Sequence, residues 1–211
     1  MSNSLSIPNR YGYTSLAMDA QETSLYSFRR GQKIPKIQSQ IWQIERGIVQ
    51  LQTNSPQGDV TVLGWLQDGD FWGGSLTRLE TIEAIALKDC LLKRFTSEEL
   101  QASSRLQQNL LAQTVHRLQQ SEYLLAIAGL KRIEDRLISL LLFLKQELGQ
   151  TQDETIRLRC RFTHQNLADV IGTTRVTVTR LFKNFQNQGW LTFDDNRHLI
   201  ITKNYQPEKI L

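Results

Sequence analysis

Residues 100–129 contain no proline and no interior glycine, so this stretch has to be accommodated as helix. Leu111, Val115, Leu118 and Leu125 recur at spacings of four, three and seven, which draws one apolar stripe along the helix. Leu106, Leu110, Arg117 and Leu124 make a neighbouring stripe. The pattern Thr96-Ser97-Glu98-Glu99 is a capping box and opens the helical region. Such a helix has more apolar surface than one small sheet buries. The expectation is a dimer seam on Leu111, Val115, Leu118 and Leu125, closed as in a coiled coil. The competing expectation is a helix packed only on its own domain.

The texture differs on either side of this helix. Eight of the twelve glycines fall in residues 1–100. Short apolar runs there are broken by turn signals: 24–28 before Arg29-Arg30-Gly31, then 41–44, 48–52, 60–66 and 82–95, with Asn54-Ser55-Pro56-Gln57-Gly58-Asp59 as a turn cluster. Short strands at such intervals argue for a sandwich or barrel. Residues 1–20 read as a loosely docked arm. Beyond the long helix, 131–148 is a second amphipathic helix with Ile133, Leu137, Leu140, Leu141 and Leu144 on one face, and 156–162 a short strand.

Charge is distributed unevenly. The net charge is +4, yet residues 155–211 alone hold nine Lys/Arg against four Asp/Glu. A locally basic domain suits a polyanionic partner, because neutralising phosphates releases counterions. No run of about 18 apolar residues exists to span a membrane. Residues 1–10 lack the apolar core of a signal peptide, so the expected location is the cytoplasm. Cys90 and Cys160 match no metal or redox spacing and read as small buried hydrophobes.

Residues 163–185 have the order helix, tight turn, helix. Thr163 caps the first helix, and Leu167, Ala168 and Ile171 form its apolar face, Ala168 being small enough for a close crossing. Gly172 ends it, because the left-handed turn conformation costs least at glycine. Thr173 or Thr174 caps the second helix, where Val178 and Leu181 point inward and Val176 lies nearer the boundary. A recognition helix reads bases from its N-terminal turns, and arginine pairs with guanine through O6 and N7. Arg175 and Arg180 are therefore the candidate base readers, with Val176 available for a thymine methyl. Thr163, Thr173, Thr174, Thr177, Thr179 and Lys183 are candidates for phosphates. Gly189-Trp190-Leu191, the turn Asp194-Asp195-Asn196 and 199–201 form a hairpin, the wing of a winged helix.

The run Leu167-Ala168-Asp169-Val170-Ile171-Gly172-Thr173-Thr174-Arg175-Val176-Thr177-Val178-Thr179-Arg180-Leu181 resembles the Crp/Fnr family of bacterial transcription regulators, and the resemblance extends over about 24–203. Within the family the chain is similar to the nitrogen-control branch, which also has Val at the position of Val176. The resemblance implies an α+β architecture. An arm (1–23) would precede a double-stranded β-helix, or jelly roll, of cyclic-nucleotide-binding type in shortened form (24–96). A dimerisation helix (97–130) and a winged helix-turn-helix domain (131–211) would follow. It further implies a homodimer on double-stranded DNA, reading a GTA…TAC-like palindrome, with RNA polymerase as protein partner and no membrane partner. Activation or repression depends on where such sites lie relative to promoters.

The resemblance also bears on an effector. In cyclic-nucleotide binders a Gly-Glu pair holds the ribose and an Arg the cyclic phosphate. Here Gly74 stands at the Glu position and Glu80 where the Arg belongs, so cAMP is not expected, since a carboxylate repels a phosphate. The nitrogen-control branch takes 2-oxoglutarate. The resemblance places Arg117 and Glu122, with Gly73, Gly74 and Ser75 as loop amides, in that pocket, but Glu80 again replaces an Arg. The alternative is a polar pair in the helix seam, and a regulator that needs no small effector at all. No cofactor is expected. Two scattered cysteines exclude an iron–sulfur cluster, and His116, His164 and His198 all lie outside the roll, which removes histidine haem ligation and cupin-type metal catalysis there. No Walker, GxGxxG or nucleophile–base motif is present, so an enzyme is not expected. A protein-interaction module that does not bind DNA is the remaining alternative, against which Arg175, Arg180 and Lys183 count.

Overall fold

The computed structural model describes residues 7–8, 14–16 and 25–205. The arm expected over 1–23 lies outside them apart from two short strands, β1 (Ile7–Pro8) and β2 (Thr14–Leu16). The chain forms two compact units, one of residues 1–58 and 62–120, the other of 59–61 and 121–211.

The first unit is built from antiparallel strands. They are β3 (Leu25–Phe28), β4 (Lys33–Ile34), β5 (Gln40–Arg46), β6 (Val49–Asn54), β7 (Val60–Leu66), β8 (Phe71–Gly73), β9 (Ile82–Ala86) and β10 (Cys90–Thr96). One sheet has the order β1-β2-β3-β10-β5-β8 and the other β4-β9-β6-β7. Alternation decides which face is buried: Ile82, Ala84 and Ala86 on β9 point inward, as do Cys90 and Leu92 on β10. The run 82–95, read as one strand, is two. The chain bends at Leu87-Lys88, where the Leu87 N–H donates to the Ile48 carbonyl (2.8 Å), and passes from one sheet to the other. Lys88 falls at an inward register position but is exposed together with Asp89, so the alternation breaks at the bend and resumes at Cys90. Three tryptophans, Trp42, Trp65 and Trp72, are among the largest fully buried side chains, and Trp42 meets Tyr26 and Phe28 edge-on.

The helical region also differs from the unbroken helix expected after the capping box. The Thr96/Glu99 box is present and starts α1 (Ser97–Ala102), but Ser103 is extended and α2 runs from Ser104 to Gly129. Ser103 ends one helix and starts the next: its N–H donates to Leu100 O (3.3 Å), while its hydroxyl accepts from Leu106 N–H (3.3 Å). Serine breaks a helix by this local competition, without proline or glycine.

On α2, Leu106, Leu110 and Arg117 are half-buried, and Gln113 and Gln120 are buried. Their amides serve backbone groups of the roll. Gln113 Nε2 donates to Phe71 O (3.0 Å). Gln120 Oε1 accepts from Trp65 N–H (2.8 Å) and its Nε2 donates to Trp65 O (3.3 Å), so one side chain satisfies both groups of an edge-strand residue. The fit depends on Gly64, which has φ +134°. A Cβ there would stand 1.9 Å from Gln120 Oε1 and 2.3 Å from the Arg117 guanidinium.

The second unit continues with α3 (Ile133–Leu148), β11 (Gly149–Gln152), β12 (Thr155–Leu158), α4 (His164–Ile171), α5 (Arg175–Asn187), β13 (Leu191–Phe193) and β14 (Leu199–Thr202). Its sheet has the order β11-β12-β14-β13, so the wing hairpin β13–β14 is the outer half of a four-stranded sheet. β11 is polar throughout, and the sequence pattern assigns no element between the helix ending at 148 and the strand at 156. No helix among the described residues is long and apolar enough to cross a membrane.

Candidate nucleic-acid interface

The helix-turn-helix follows from three local choices. Thr163 caps α4 in a reciprocal box, its hydroxyl accepting from Asn166 N–H and the Asn166 side chain accepting from Thr163 N–H, each at 3.0 Å. Gly172 takes the left-handed conformation (φ +64°, ψ +51°), and both its N–H and that of Thr173 turn back to Ala168 O. Thr174, rather than Thr173, caps α5 by accepting from Thr177 N–H (3.2 Å). Ala168 is fully buried.

On α5, Val178, Leu181, Phe182 and Phe185 are buried, while Arg175, Val176, Thr179, Arg180 and Lys183 are exposed. At about 100° per residue the exposed set spans an arc of roughly 140°, opposite the buried one. The three base-reading candidates and Lys183 thus share one solvent face. Val176, expected nearer the boundary, is 77% exposed. Thr177 is half-buried, its hydroxyl 3.0 Å from that of Thr174. Thr163 and Thr174 are exposed and Thr173 half-buried.

His164, not among the DNA candidates read from the sequence, belongs to this surface. With Thr163, Gln165 and Arg175 it lines a depression between the starts of α4 and α5. The Thr179 hydroxyl donates to Arg175 O (2.8 Å), so it accepts from His164 Nδ1 (2.8 Å), which places the imidazole proton on Nδ1. The ring also packs on Phe182, 4.7 Å between centroids. Burial, and then the charge of Arg175, holds its pKa below the ordinary 6.5. Nothing in the local sequence signals this role, because its partner lies 15 positions away.

The wing is fixed from β12. Arg157 Nε donates to Asp194 (2.7 Å) and its second nitrogen to His198 Nδ1 (2.7 Å). A guanidinium only donates, so this Nδ1 is the acceptor and His198 is neutral. Burial and then Arg157 lower the His198 pKa, against the pull of Asp194. Burial alone would raise the Asp194 carboxyl. The His198 N–H and Arg157 outweigh it and bring the pKa down to about 2.

Both histidines therefore stay neutral in the folded unit at pH values where the unfolded chain takes up protons. Their contribution to stability is complete above about pH 6.5 and is lost as pH falls through their lowered native values. The midpoint of urea unfolding is expected to be lower at pH 5.5 than at pH 7.5. An equal or higher midpoint at pH 5.5 would rule out this linkage.

The effector candidates and the seam lie elsewhere. Gly73 and Gly74 are buried beside Gln40 and Gln38, and the Gly74 N–H donates to Ile37 O (3.1 Å). Ser75 and Glu80 are exposed. Lys36 Nζ donates to the carbonyls of Leu79 and Glu80. Arg117 donates to Leu63 O (3.1 Å) and Gln120 Oε1 (3.0 Å), and burial pushes its pKa below the usual range despite Asp70 nearby. Glu122 is exposed. Leu111, Val115, Leu118 and Leu125 are 66%, 49%, 59% and 74% exposed.

Residues 135–206 match the Crp-like helix-turn-helix domain family. The regulatory protein CysR of Synechococcus elongatus is 35% identical over 164 residues, covering 76% of this chain and 75% of that protein. The global nitrogen regulator of Synechocystis is 38% identical over 65 residues, 31% of this chain and 29% of that protein. Among solved structures, a CRP/FNR-family transcriptional regulator of Thermus thermophilus superposes with a TM-score of 0.67 at 21% identity, covering 84% of this chain and 92% of that one. FixK2 of Bradyrhizobium japonicum gives 0.68 at 21% identity, with coverages of 85% and 92%. These last two likenesses are of fold.

Proposed function

We propose, for a chain that belongs to the Crp/Fnr family of DNA-binding transcription regulators, that it acts as a homodimer reading a GTA…TAC-like palindrome through Arg175, Val176 and Arg180. The observation that carries this reading is the single solvent face of α5, on which two arginines flank an exposed valine. Guanine presents two acceptors to an arginine fork, and thymine a methyl to an apolar side chain. Lys183 shares that face and suits a phosphate, with Thr163, Thr173, Thr174 and Thr177 near the starts of α4 and α5 as further phosphate candidates, whereas the Thr179 hydroxyl is already committed to Arg175 O. Dimerisation is supported by the apolar stripe on α2, four large side chains left in water by one chain and covered by a second copy. RNA polymerase is the protein partner that such a promoter-bound dimer meets.

A second reading concerns the effector. The groups that would hold one are already engaged inside the roll: Arg117 on Leu63 O and Gln120, the Gly74 N–H on Ile37 O. Neither Gly74 nor Glu80 supplies the charge that cAMP requires. This favours a regulator that binds DNA without a small molecule.

The test is a titration of the protein on a GTA…TAC duplex and on a scrambled one at near-physiological salt, with no ligand, with cAMP and with 2-oxoglutarate. The expected result is binding at least about 10³-fold tighter to the palindrome, unchanged by either ligand. Equal affinity for the two duplexes would refute the DNA reading. Preference that appears only with 2-oxoglutarate would overturn effector independence and make Arg117 and Glu122 the residues to vary.

A further inference from the structure

Arg136 lies in the first turns of α3 and is half-buried. Its Nε donates to Leu130 O (2.7 Å), the carbonyl just past the end of α2. Another guanidinium nitrogen donates to Ile171 O (3.2 Å), the last residue of α4. Among the described residues it pairs with no carboxylate. Its charge meets only backbone carbonyls at two helix C-terminal ends, where the helix dipole is negative.

The two carbonyls it joins have different tasks. The α2 end leads back to the apolar stripe; the α4 end leads, through Gly172 and Thr173, directly to the cap of the recognition helix. Gly172 lies beside the guanidinium, for a Cβ there would stand 4.0 Å from it. A planar fork with fixed donor directions holds two acceptors at a set angle, which an ammonium on a flexible stem does not.

We infer that Arg136 is a positioning residue that fixes the recognition helix relative to the end of the dimer helix and thereby sets the half-site spacing the protein accepts. This rests on the dimeric, palindrome-reading function proposed above. Two recognition helices must meet the major groove about one helical turn apart, so a small rotation at α4 carries α5 off register on one half-site while leaving each half-site readable alone.

The experiment measures affinity of the full chain for GTA…TAC duplexes whose spacer is varied by one and two base pairs, and for a duplex with a single half-site. Wild type, Arg136→Ala and Arg136→Lys are compared, with urea unfolding of each. Wild type is expected to favour one spacer by roughly tenfold or more, the order of one mismatched contact. Both variants are expected to flatten this preference to within about threefold while keeping single half-site affinity within about twofold. The lysine variant keeps the charge and guards against a folding defect in the alanine one. Wild-type spacer preference in Arg136→Lys, or loss of single half-site affinity in step with the spacer preference, overturns the inference. A wild type indifferent to both palindrome and spacer overturns the dimeric reading itself, and the inference with it.

Discussion

Replacing Arg180 by alanine is expected to weaken binding to the GTA…TAC duplex by about 1–3 kcal/mol, roughly 5- to 150-fold, and to relax base preference at one position of each half-site. Arg180 stands on the exposed face of α5, one residue before buried Leu181, so its removal leaves the packing of the helix intact. The loss should concentrate on the matched duplex and be small on a scrambled one. A phosphate-contacting arginine would behave otherwise, with a uniform loss on all sequences and a shallower salt dependence. An Arg180→Ala protein that keeps its base preference while binding everything more weakly would move Arg180 from the base-reading set to the backbone set. Competition binding against duplexes substituted one base at a time separates the two.

The second large effect is expected from Leu118→Glu. Leu118 is 59% exposed, and it belongs to the stripe with Leu111, Val115 and Leu125. Glu122 falls in the same four-three register between Leu118 and Leu125, so the proposed seam already carries one carboxylate. A second carboxylate next to it, met by its own copy across a two-fold axis, costs at least about 3 kcal/mol, roughly 100-fold or more in the dimer dissociation constant. Sedimentation should show a folded monomer where the parent is a dimer, and palindrome binding should fall to the affinity of a single half-site. A fully dimeric Leu118→Glu protein would place the seam on another face of α2.

What was legible in the sequence was whatever a short local pattern encodes. The Thr96/Glu99 box, the Thr163 cap, the left-handed turn at Gly172 and the inward Val178 and Leu181 each depend on neighbours within about four residues. The break at Ser103 was hidden because serine allows helix and interrupts it only when its hydroxyl finds the Leu106 N–H. The crossing at Leu87-Lys88 was easy to miss because only Lys88 and Asp89 interrupt an otherwise continuous apolar run. Polar β11 offers no apolar period at all. At the candidate interface, the exposed arginines announced themselves by type and spacing, whereas His164 and Arg136 act through partners 15 and 35 positions away. One sequence signal could have drawn attention to Arg136: a cation near the start of a helix opposes the dipole there and needs compensation elsewhere.

The side-chain clasp of Gln120 on Trp65 has a consequence beyond holding α2 in place. β7 ends its sheet, and an unpaired edge is a template on which a foreign strand can add. A charged or twisted edge is one way to forbid such growth. Here a glutamine occupies both bonding positions of an edge residue, and Gly64 lets it approach that closely. The helix that carries the proposed dimer stripe on its outer side thus covers, with its inner side, a bonding position that a foreign strand would need. On the proposed dimeric reading, association would then be confined to the face where two-fold symmetry closes it.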